Sequence, residues 1–572
     1  MKKTAVTILI ILISFPLLAQ KKPEAGLRRE ITIYNPYKPS LPDVVKKSFL
    51  PDMTDTARVR TEFKYDVRTR PFMPPYIISP VKPATMVPDP LPKLYNSYVN
   101  IGFGNHLTPL AEISITNQRS KKGNIGFYAR HFSTNDNIKL DNEKDAFAGY
   151  MDNDAMLYGR KSMRKSILTG SVDYSQKSRY AYGYDPFFTD YDPDKKEYRL
   201  NYNKAGATIG YSSAILDSSD LAYDFGLDYD YFFSEKGYNQ HGFEFNGEMA
   251  KMWKGFYVGG SAEFGLYNPS DSIALNISRY IAAIKPFVKK STSLWDVKLG
   301  LQFLYDKGLA ESKLHIYPDL HFGFNIVPSF VSFYAELTGR LEKNLPNDVL
   351  GLNPYLMPSV TLYYIMPTDY SLVARAGLTG ETGIEGRYNL YASYSFVNDM
   401  VLFTNYLYRK GAEIYSRANY FTPVYDEVEV LNVHGDMSGR INDQFSFDAG
   451  ANLYKYTLSE NDYAWNKPNW DVSFAVKYDL RNKIIAGIGI NAVGKRIAGV
   501  TSYDDELFVP PYISDQIDLN TNLTFNLSAE YRYTKILSFW LKFNNISFSR
   551  YYEWAYYPSQ RFFLMAGFTY SL

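Results

Sequence analysis

The chain has 572 residues, and its 62 Lys and Arg nearly balance its 60 Asp and Glu, so no electrostatic footprint for nucleic acid is present. The absence of cysteine excludes a disulfide framework, a thiolate metal site and a lipoprotein anchor. The 52 Tyr and 37 Phe favour a protein with aromatic girdles at two lipid–water interfaces, as transmembrane β-barrels have.

Residues 1–19 are predicted to be a secretory signal peptide. Met1-Lys2-Lys3 supplies a basic start, Ala5 to Leu18 is mostly apolar, and Ala19 is a suitable cleavage position. No later stretch approaches 18 consecutive apolar residues, so a membrane-spanning helix is not expected. We therefore expect an exported protein whose contact with a membrane does not depend on a transmembrane helix.

Residues 20–95 differ from the rest of the chain. They contain 13 of the 30 prolines, and 14 Lys and Arg against 8 Asp and Glu. Proline fixes φ and removes a backbone donor, which predicts an extended and mostly unpaired segment. Its apolar residues are too many for a purely solvated tail, so we expect it to rest against another surface.

From residue 96 to residue 572, apolar and polar residues alternate in long runs. The stretch 517–533, "IDLNTNLTFNLSAEYRY", alternates without a break and is predicted to be one strand. A transmembrane strand needs only about 9–11 residues. The pattern predicts an all-β fold, a large antiparallel transmembrane β-barrel of 22–24 strands, with both chain ends in the periplasm.

The connections are predicted to alternate between short turns and long loops, as they do on the two rims of outer-membrane barrels. The predicted short turns are 119–123, 217–220, 327–329, 367–369, 397–399, 441–443, 480–482 and 534–535. The predicted long loops are 134–151, 184–196, 342–354, 411–427, 458–467, 497–516 and 548–560.

Strand alternation also predicts which side chains face lipid and which face the lumen. The lipid-facing set in the quoted stretch is Leu519, Leu523, Phe525 and Leu527; the lumen-facing set is Asn522, Asn526 and Glu530. Three carboxylates share one face of another predicted strand: Asp224, Asp228 and Asp230. Same-face neighbours about 7 Å apart are interpreted as lumen polar groups rather than a calcium site.

No pattern predicts a catalytic, cofactor or metal site. His315 and His321 are close in sequence, but six strand residues separate them by about 20 Å, too far to share a metal ion. No local arrangement of nucleophile and base indicates an enzyme.

Two predicted loops combine aromatic rings with polar groups, in residues 179–198 and 462–470. Aromatic faces stack on sugar rings or peptides, and neighbouring polar groups fix orientation. The candidate contacts for a glycan or peptide are Tyr180, Tyr182, Phe187, Trp465 and Trp470. The alternative is that these rings belong to the interfacial girdle.

The C-terminal strand "RFFLMAGFTYSL" ends on an apolar residue. Gly567, Tyr570 and Leu572 resemble the β-signal that outer-membrane barrels present to the barrel-assembly machinery, with Leu in place of the usual terminal Phe.

The segment 542–572 resembles the final hairpin of TonB-dependent receptors. The resemblance rests on Asn544 and Asn545, the Tyr551–Tyr552 loop, and Pro558 with Arg561 before the closing strand; the family has Gly where this chain has Gln560. The resemblance implies an outer-membrane receptor barrel. Receptors of this family carry a globular plug of well over a hundred residues, which residues 20–95 do not resemble, so a plug-less relative without TonB-energised uptake is expected.

Two functions remain open. The first is a channel or receptor for a solute, with the basic segment in the lumen; the barrel region has 46 basic and 52 acidic residues, and complementary charge would steer the segment inward. The gating residues would be Arg58, Arg60, Arg68 and Arg70. The second is a membrane scaffold that binds other envelope proteins.

Overall fold

The computed structural model describes residues 95–572 apart from 118–119, 121, 187–191, 215–219, 272–276, 309–310, 358–361, 363–364, 384, 411–412, 505–508 and 548. The predicted signal peptide, Arg58, Arg60, Arg68, Arg70 and Phe187 lie outside the described residues. No described helix is long and apolar enough to cross a membrane.

The described part of the chain is built almost wholly from β-strands. In chain order the strands are β1 (Ser97–Gly104), β2 (Thr108–Thr116), β3 (Gly123–Thr134), β4 (Asn137–Lys139), β5 (Asp145–Phe147), β6 (Tyr150–Ser162), β7 (Ser166–Tyr180), β8 (Arg199–Ser213), β9 (Ala222–Ser234), β10 (Asn239–Trp253), β11 (Phe256–Ser270), β12 (Arg279–Ser291), β13 (Trp295–Lys307), β14 (Ser312–Val327), β15 (Val331–Glu342), β16 (Thr368–Thr382), β17 (Gly386–Lys410), β18 (Glu413–Arg440), β19 (Phe445–Leu458), β20 (Trp470–Leu480), β21 (Ile484–Val493), β22 (Arg496–Asp504), β23 (Val509–Leu519), β24 (Asn522–Arg532), β25 (Leu537–Asn544), β26 (Tyr552–Trp554), β27 (Tyr557–Pro558) and β28 (Phe563–Ser571). One short helix, Pro346–Leu352, lies between β15 and β16.

Among the described residues, 22 strands form an antiparallel barrel in which each strand pairs with the barrel strands before and after it in the chain. The first and last strands, β1 and β28, also pair, which closes the barrel. The remaining six strands form three hairpins in the connections: β4–β5, β22–β23 and β26–β27. The barrel therefore confirms the predicted fold class.

The two barrel faces differ in chemistry, as strand alternation predicts. Leu523, Phe525 and Leu527 of β24 are each more than a third exposed on the outer face. The inner face carries ion pairs between strands, including Lys298–Asp319 at 2.6 Å and Arg179–Asp152 at 2.8 Å. An apolar exterior and a polar interior suit a barrel in lipid with a wet lumen.

The connections divide between two rims. All six connections longer than ten residues lie on one rim, which we call the long-loop rim: 135–149, 181–198, 343–367, 459–469, 494–521 and 545–562. The opposite, short-turn rim carries connections of two to eight residues and the β1 and β28 ends of the barrel.

The seam between β1 and β28 depends on two glycines beneath one indole ring. A Cβ atom on Gly102 or on Gly567 would lie within 2.5 Å of the Trp540 ring. The Trp540 Nε1–H donates to Asn100 Oδ1 at 2.8 Å, which holds the ring over the seam. Gly567 is thus required by close packing at barrel closure.

The prediction that residues 517–533 form one strand is wrong. The chain leaves β23 at Leu519 and enters β24 at Asn522, because β23 pairs with β22 whereas β24 pairs with β21. Alternation continues across the break, so the pattern hides the change of partner. Leu519 is only 2% exposed and packs with Ala498 and Ala555, so its predicted lipid-facing position is also wrong.

Three predicted connections are also wrong. Residue 367 ends a long loop, and Thr368 and Asp369 begin β16, so 367–369 is not a short turn. Residues 397–399 lie inside β17, where a register shift and a positive φ of 52° at Asp399 form a β-bulge. The residues that favour a turn are therefore found in a bulge. Residues 413–427 of the predicted loop 411–427 are strand, because β17 and β18 continue beyond the barrel as a long hairpin.

We predict that Leu527→Arg destabilises the barrel by about 2–4 kcal/mol, because a guanidinium near the middle of a strand would enter the hydrocarbon. Ser528→Arg places the same group on the inner face of the same strand and should cost much less. Urea titrations of both variants in lipid vesicles measure the difference. Equal losses would show that the two faces are assigned wrongly.

Candidate functional site

Segments from opposite sides of the barrel meet above its mouth on the long-loop rim. The 181–198 connection follows β7, and β18 lies eleven strands away in the ring of 22. Asn419 Nδ2 of β18 donates to Ala181 O at 3.1 Å, and Asp185 N donates to Arg417 O at 3.1 Å. These bonds span the mouth, and we call the joined segments (181–198, 343–367, 400–426 and 545–562) the cap.

The cap packs around a hydrophobic core to which the adjoining ends of β8 and β9 also contribute. Tyr557 is at its centre: its ring stacks on Tyr355 with centroids 4.0 Å apart and meets Tyr182 edge-on at 4.9 Å. Its hydroxyl donates to Asn419 O. Trp554 packs against Phe421 at 5.0 Å. Buried apolar members of this core include Leu200, Tyr202, Phe232, Val349, Leu350, Leu356, Ile365, Val401 and Phe403.

The β22–β23 hairpin braces one side of the cap. Its first strand pairs in parallel with the protruding part of β17, from Asn405↔Val500 to Arg409↔Asp504. Thr404 and Thr501 share a buried hydroxyl–hydroxyl hydrogen bond of 2.7 Å. The protruding strands are therefore part of a sheet rather than a free arm.

A cavity of about 490 Å³, which we call the mouth cavity, lies beneath the cap. It is bounded by the ends of β6, β7 and β8, by the helix segment, and by the 545–562 connection. Its aromatic lining includes Tyr150, Tyr180, Tyr182, Tyr202, Tyr355, Tyr551 and Phe563. Burial raises the pKa of Tyr182 and of Tyr355, so both phenols stay neutral, and the Tyr182 hydroxyl donates to Pro558 O at 3.0 Å.

The charged groups of the mouth cavity are mostly basic. Lys177, Arg179 and Lys204 line it, and Glu553 is the acidic residue among its described lining. The Lys177 side chain makes no hydrogen bond or ion pair with a described residue, whereas Arg179 is held by Asp152 and lies 5.3 Å from the centre of the Tyr150 ring. Register places Lys177 opposite Tyr202, and Lys204 two residues further along β8.

Two further polar atoms at this cavity have no partner among the described atoms. They are Tyr202 Oη and Gln560 Nε2, and both are buried. An unpaired buried donor is costly, so a ligand or ordered water with acceptor oxygens would be favourable here. Together with the lysines, these donors suit a solute that carries rings and an acidic group.

The structure brings together only part of the predicted loop contacts. Tyr180 and Tyr182 both line the mouth cavity. Trp465 is 2% exposed, donates to Asn461 Oδ1 at 3.0 Å and covers Gly499, so its predicted surface contact is wrong. Trp470 packs against Gly494, on the far side of the barrel from Tyr180.

The three predicted lumen carboxylates lie on the inner face of β9. Asp228 accepts a hydrogen bond of 2.7 Å from Thr208, and Asp230 interacts electrostatically with Lys204 of the mouth cavity. No group of three or more His, Cys, Asp or Glu suited to a metal ion occurs in the described part of the chain. These carboxylates form an acidic stretch of wall below the mouth cavity.

Sequence reasoning missed Lys177, Lys204, Tyr355 and Tyr557. The two lysines alternate with neutral residues on strands, which gives no local signal of a site. Tyr557 stands in "YYEWAYYPSQ", where its many aromatic neighbours conceal which ring is buried. Only the convergence of distant connections distinguishes these residues.

We predict that Tyr557→Ala opens the cap but leaves the barrel intact. Loss of a buried aromatic ring costs about 3–5 kcal/mol in a packed core, whereas the barrel's backbone hydrogen bonds do not involve this ring. Hydrogen exchange should accelerate in 343–367 and 545–562 and stay slow in β10–β14. Tyr463→Ala, at an exposed ring, is the control; unchanged exchange in the cap would contradict the prediction.

Comparisons with known proteins find likeness in structure alone. No protein-family model and no curated protein matches the chain. The FrpB iron transporter from Neisseria meningitidis (F3-3 variant) superposes with a TM-score of 0.64 at 10% identity, covering 84% of this chain and 82% of that chain.

Two receptors give similar values. The pyoverdine outer-membrane receptor FpvA from Pseudomonas aeruginosa PAO1 superposes with a TM-score of 0.60 at 12% identity, over 84% of this chain and 79% of that chain. The ferric-catecholate import receptor Fiu from E. coli K12 gives 0.60 at 10% identity, over 84% and 82%. The chain thus has the 22-stranded barrel fold of TonB-dependent receptors, an outer-membrane architecture.

Proposed function

We propose that this protein is an outer-membrane channel or receptor that binds a solute in the mouth cavity and passes it through the barrel. The observation that carries the proposal is the position of this cavity, between a cap that spans the mouth and a polar barrel wall. No catalytic role is proposed. The structural neighbours, which are receptors and transporters, support this function.

The chemistry of the mouth cavity favours a glycan or peptide solute with an acidic group. Tyr180, Tyr182 and Tyr355 offer faces for sugar or side-chain rings. Lys177 and Lys204 would attract the acidic group, and their charges act strongly because the cap excludes part of the water.

The barrel wall below the mouth cavity supplies polar groups for a passing solute. His321 lies between Asp296 and Glu336, at 2.9 and 3.2 Å, and Arg375 pairs with Glu336 at 3.3 Å. Further round the ring, His434 contacts Asn452 at 2.7 Å. These contacts link neighbouring strands and line the lumen with polar groups.

The N-terminal segment is proposed to narrow the lumen from the short-turn rim. Its excess of basic residues complements the acidic wall at Asp224, Asp228 and Asp230, and Arg58, Arg60, Arg68 and Arg70 are the proposed partners. Because this segment lacks a plug-like pattern, passage is proposed to proceed without TonB energisation. The scaffold function remains the alternative, in which envelope proteins bind the cap or the segment.

We predict that the long-loop rim faces the cell exterior and that both chain ends are periplasmic. An epitope tag inserted within 187–191 should be labelled on intact cells, because long loops of such barrels are extracellular. A tag in the 441–444 turn should be labelled only after permeabilisation. The reverse result, in barrels that show normal heat-modifiable migration, would invert the topology.

We predict that the cap and the N-terminal segment are two barriers in series. Deletion of residues 20–92 behind an intact signal peptide should raise single-channel conductance only modestly while the cap is closed. Tyr557→Ala should likewise have a small effect alone, and the combined variant should conduct most, because both barriers are then absent.

The four channels (wild type, deletion, Tyr557→Ala and the combination) are compared in planar bilayers, with Tyr463→Ala as control. A combined variant no more conductive than Tyr557→Ala would show that the segment does not occlude the lumen. If conductance were unchanged in every variant and envelope proteins co-purified stoichiometrically with the barrel, the result would favour the scaffold function over the channel function.

A further inference from the structure

A second cavity, of about 710 Å³, lies at the end of the β13–β14 hairpin, under the loop that precedes β16. We call it the hairpin-end cavity. It shares no lining residue with the mouth cavity. Its charged lining is Arg279, Asp306, Glu311, Lys313, Asp369 and Asp399, and His315 also lines it.

Two hydrogen-bond acceptors at this cavity are buried and without a partner among the described atoms. Asp306 is 6% exposed, and its Oδ1 accepts no hydrogen bond. The His315 side chain is 10% exposed, and its Nε2 is also unpaired. His315 Nδ1 lies 3.4 Å from Asp369 Oδ2, which favours the proton on Nδ1 and leaves Nε2 as an acceptor.

Register places these two acceptors near each other on one face of the hairpin. Asp306 is opposite Lys313, and His315 is two residues further along β14, opposite Leu304. Diagonal neighbours on antiparallel strands have Cα atoms about 7–8 Å apart, and their side chains can approach more closely. One donor group could therefore reach both acceptors.

The donors around the cavity have other partners. Arg279 Nη1 donates to Ile365 O at 3.1 Å, and Lys313 Nζ lies 3.8 Å from Asp399 Oδ2. Tyr317 Oη and Asn398 Nδ2 donate to the two oxygens of Asp369, at 2.7 and 3.1 Å. Arg279, His315 and Lys313 interact electrostatically with Asp306, yet no described donor makes a hydrogen bond to Asp306 Oδ1 or to His315 Nε2. The lining has four carboxylates and two basic side chains.

We propose that the hairpin-end cavity binds the primary ammonium group of a basic solute between Asp306 Oδ1 and His315 Nε2. An ammonium carries one positive charge and three N–H donors, so two of its N–H groups can donate to the carboxylate oxygen and the imidazole nitrogen. The cavity volume leaves room for the rest of the solute. This site is independent of the acidic solute proposed for the mouth cavity.

The probe is putrescine, titrated calorimetrically into detergent-solubilised full-length protein. Its quaternary analogue, with every N–H replaced by N–CH₃, keeps the charges but lacks donors and should bind at least about tenfold more weakly. Asp306→Asn should weaken putrescine binding by a similar factor, since it removes the charge that strengthens the hydrogen bond. Glu460→Gln, at an exposed carboxylate of the long-loop rim outside this cavity, should change binding less than about twofold.

Heat-modifiable migration verifies that each variant is folded, and His315→Gln is the second variant should Asp306→Asn fail to assemble. Equal binding of putrescine by wild type and Asp306→Asn would overturn the proposal, as would equal binding of the two diamines or no binding of either. Zn²⁺ is titrated in parallel. Binding of Zn²⁺ that depends on Asp306, without binding of putrescine, would replace the ammonium site by a metal site.

Discussion

Closure of the sheet between β1 and β28 is the constraint on which the rest of this structure depends. A backbone N–H or C=O group in hydrocarbon must have a protein partner, and a sheet satisfies all of them only when it has no edges. The pairing from Tyr98↔Ser571 to Gly104↔Met565 provides this closure. Two glycines let Trp540 lie flat over the seam, so packing and hydrogen bonding reinforce each other there.

Closure also decides where a hydrophobic core can form. The outer face of the barrel is apolar but meets lipid, and the inner face is polar, so neither provides a conventional core. The largest cluster of buried apolar residues lies instead in the cap, where Tyr355, Phe421, Trp554 and Tyr557 come from three different connections or strands. The hydrophobic effect that drives this packing therefore holds the cap together across the mouth of the barrel.

Some polar side chains of the barrel have partners on neighbouring strands. Other buried polar atoms have no hydrogen-bond partner among the described atoms. His321 and Lys298 belong to the first group, because each contacts a carboxylate on a neighbouring strand. The second group includes Tyr202 Oη, Gln560 Nε2, Asp306 Oδ1 and His315 Nε2, and these four atoms are at cavities on the long-loop rim. Buried polar atoms without partners are uncommon in native proteins, which makes their location informative about ligands.

The sequence by itself determined the class of fold, the approximate strand number, the grouping of long loops on one rim, and the facing of Leu523, Phe525 and Asp228. These follow from strand periodicity, which is local: adjacent side chains point in opposite directions whatever their strand pairs with. Only the tertiary structure decided that residues 517–533 change partner, that 397–399 is a bulge, and that Trp465 is buried while Tyr182 lines a cavity. Each of these depends on contacts between residues far apart in the chain, such as Asn419 with Ala181, and periodicity carries no information about them.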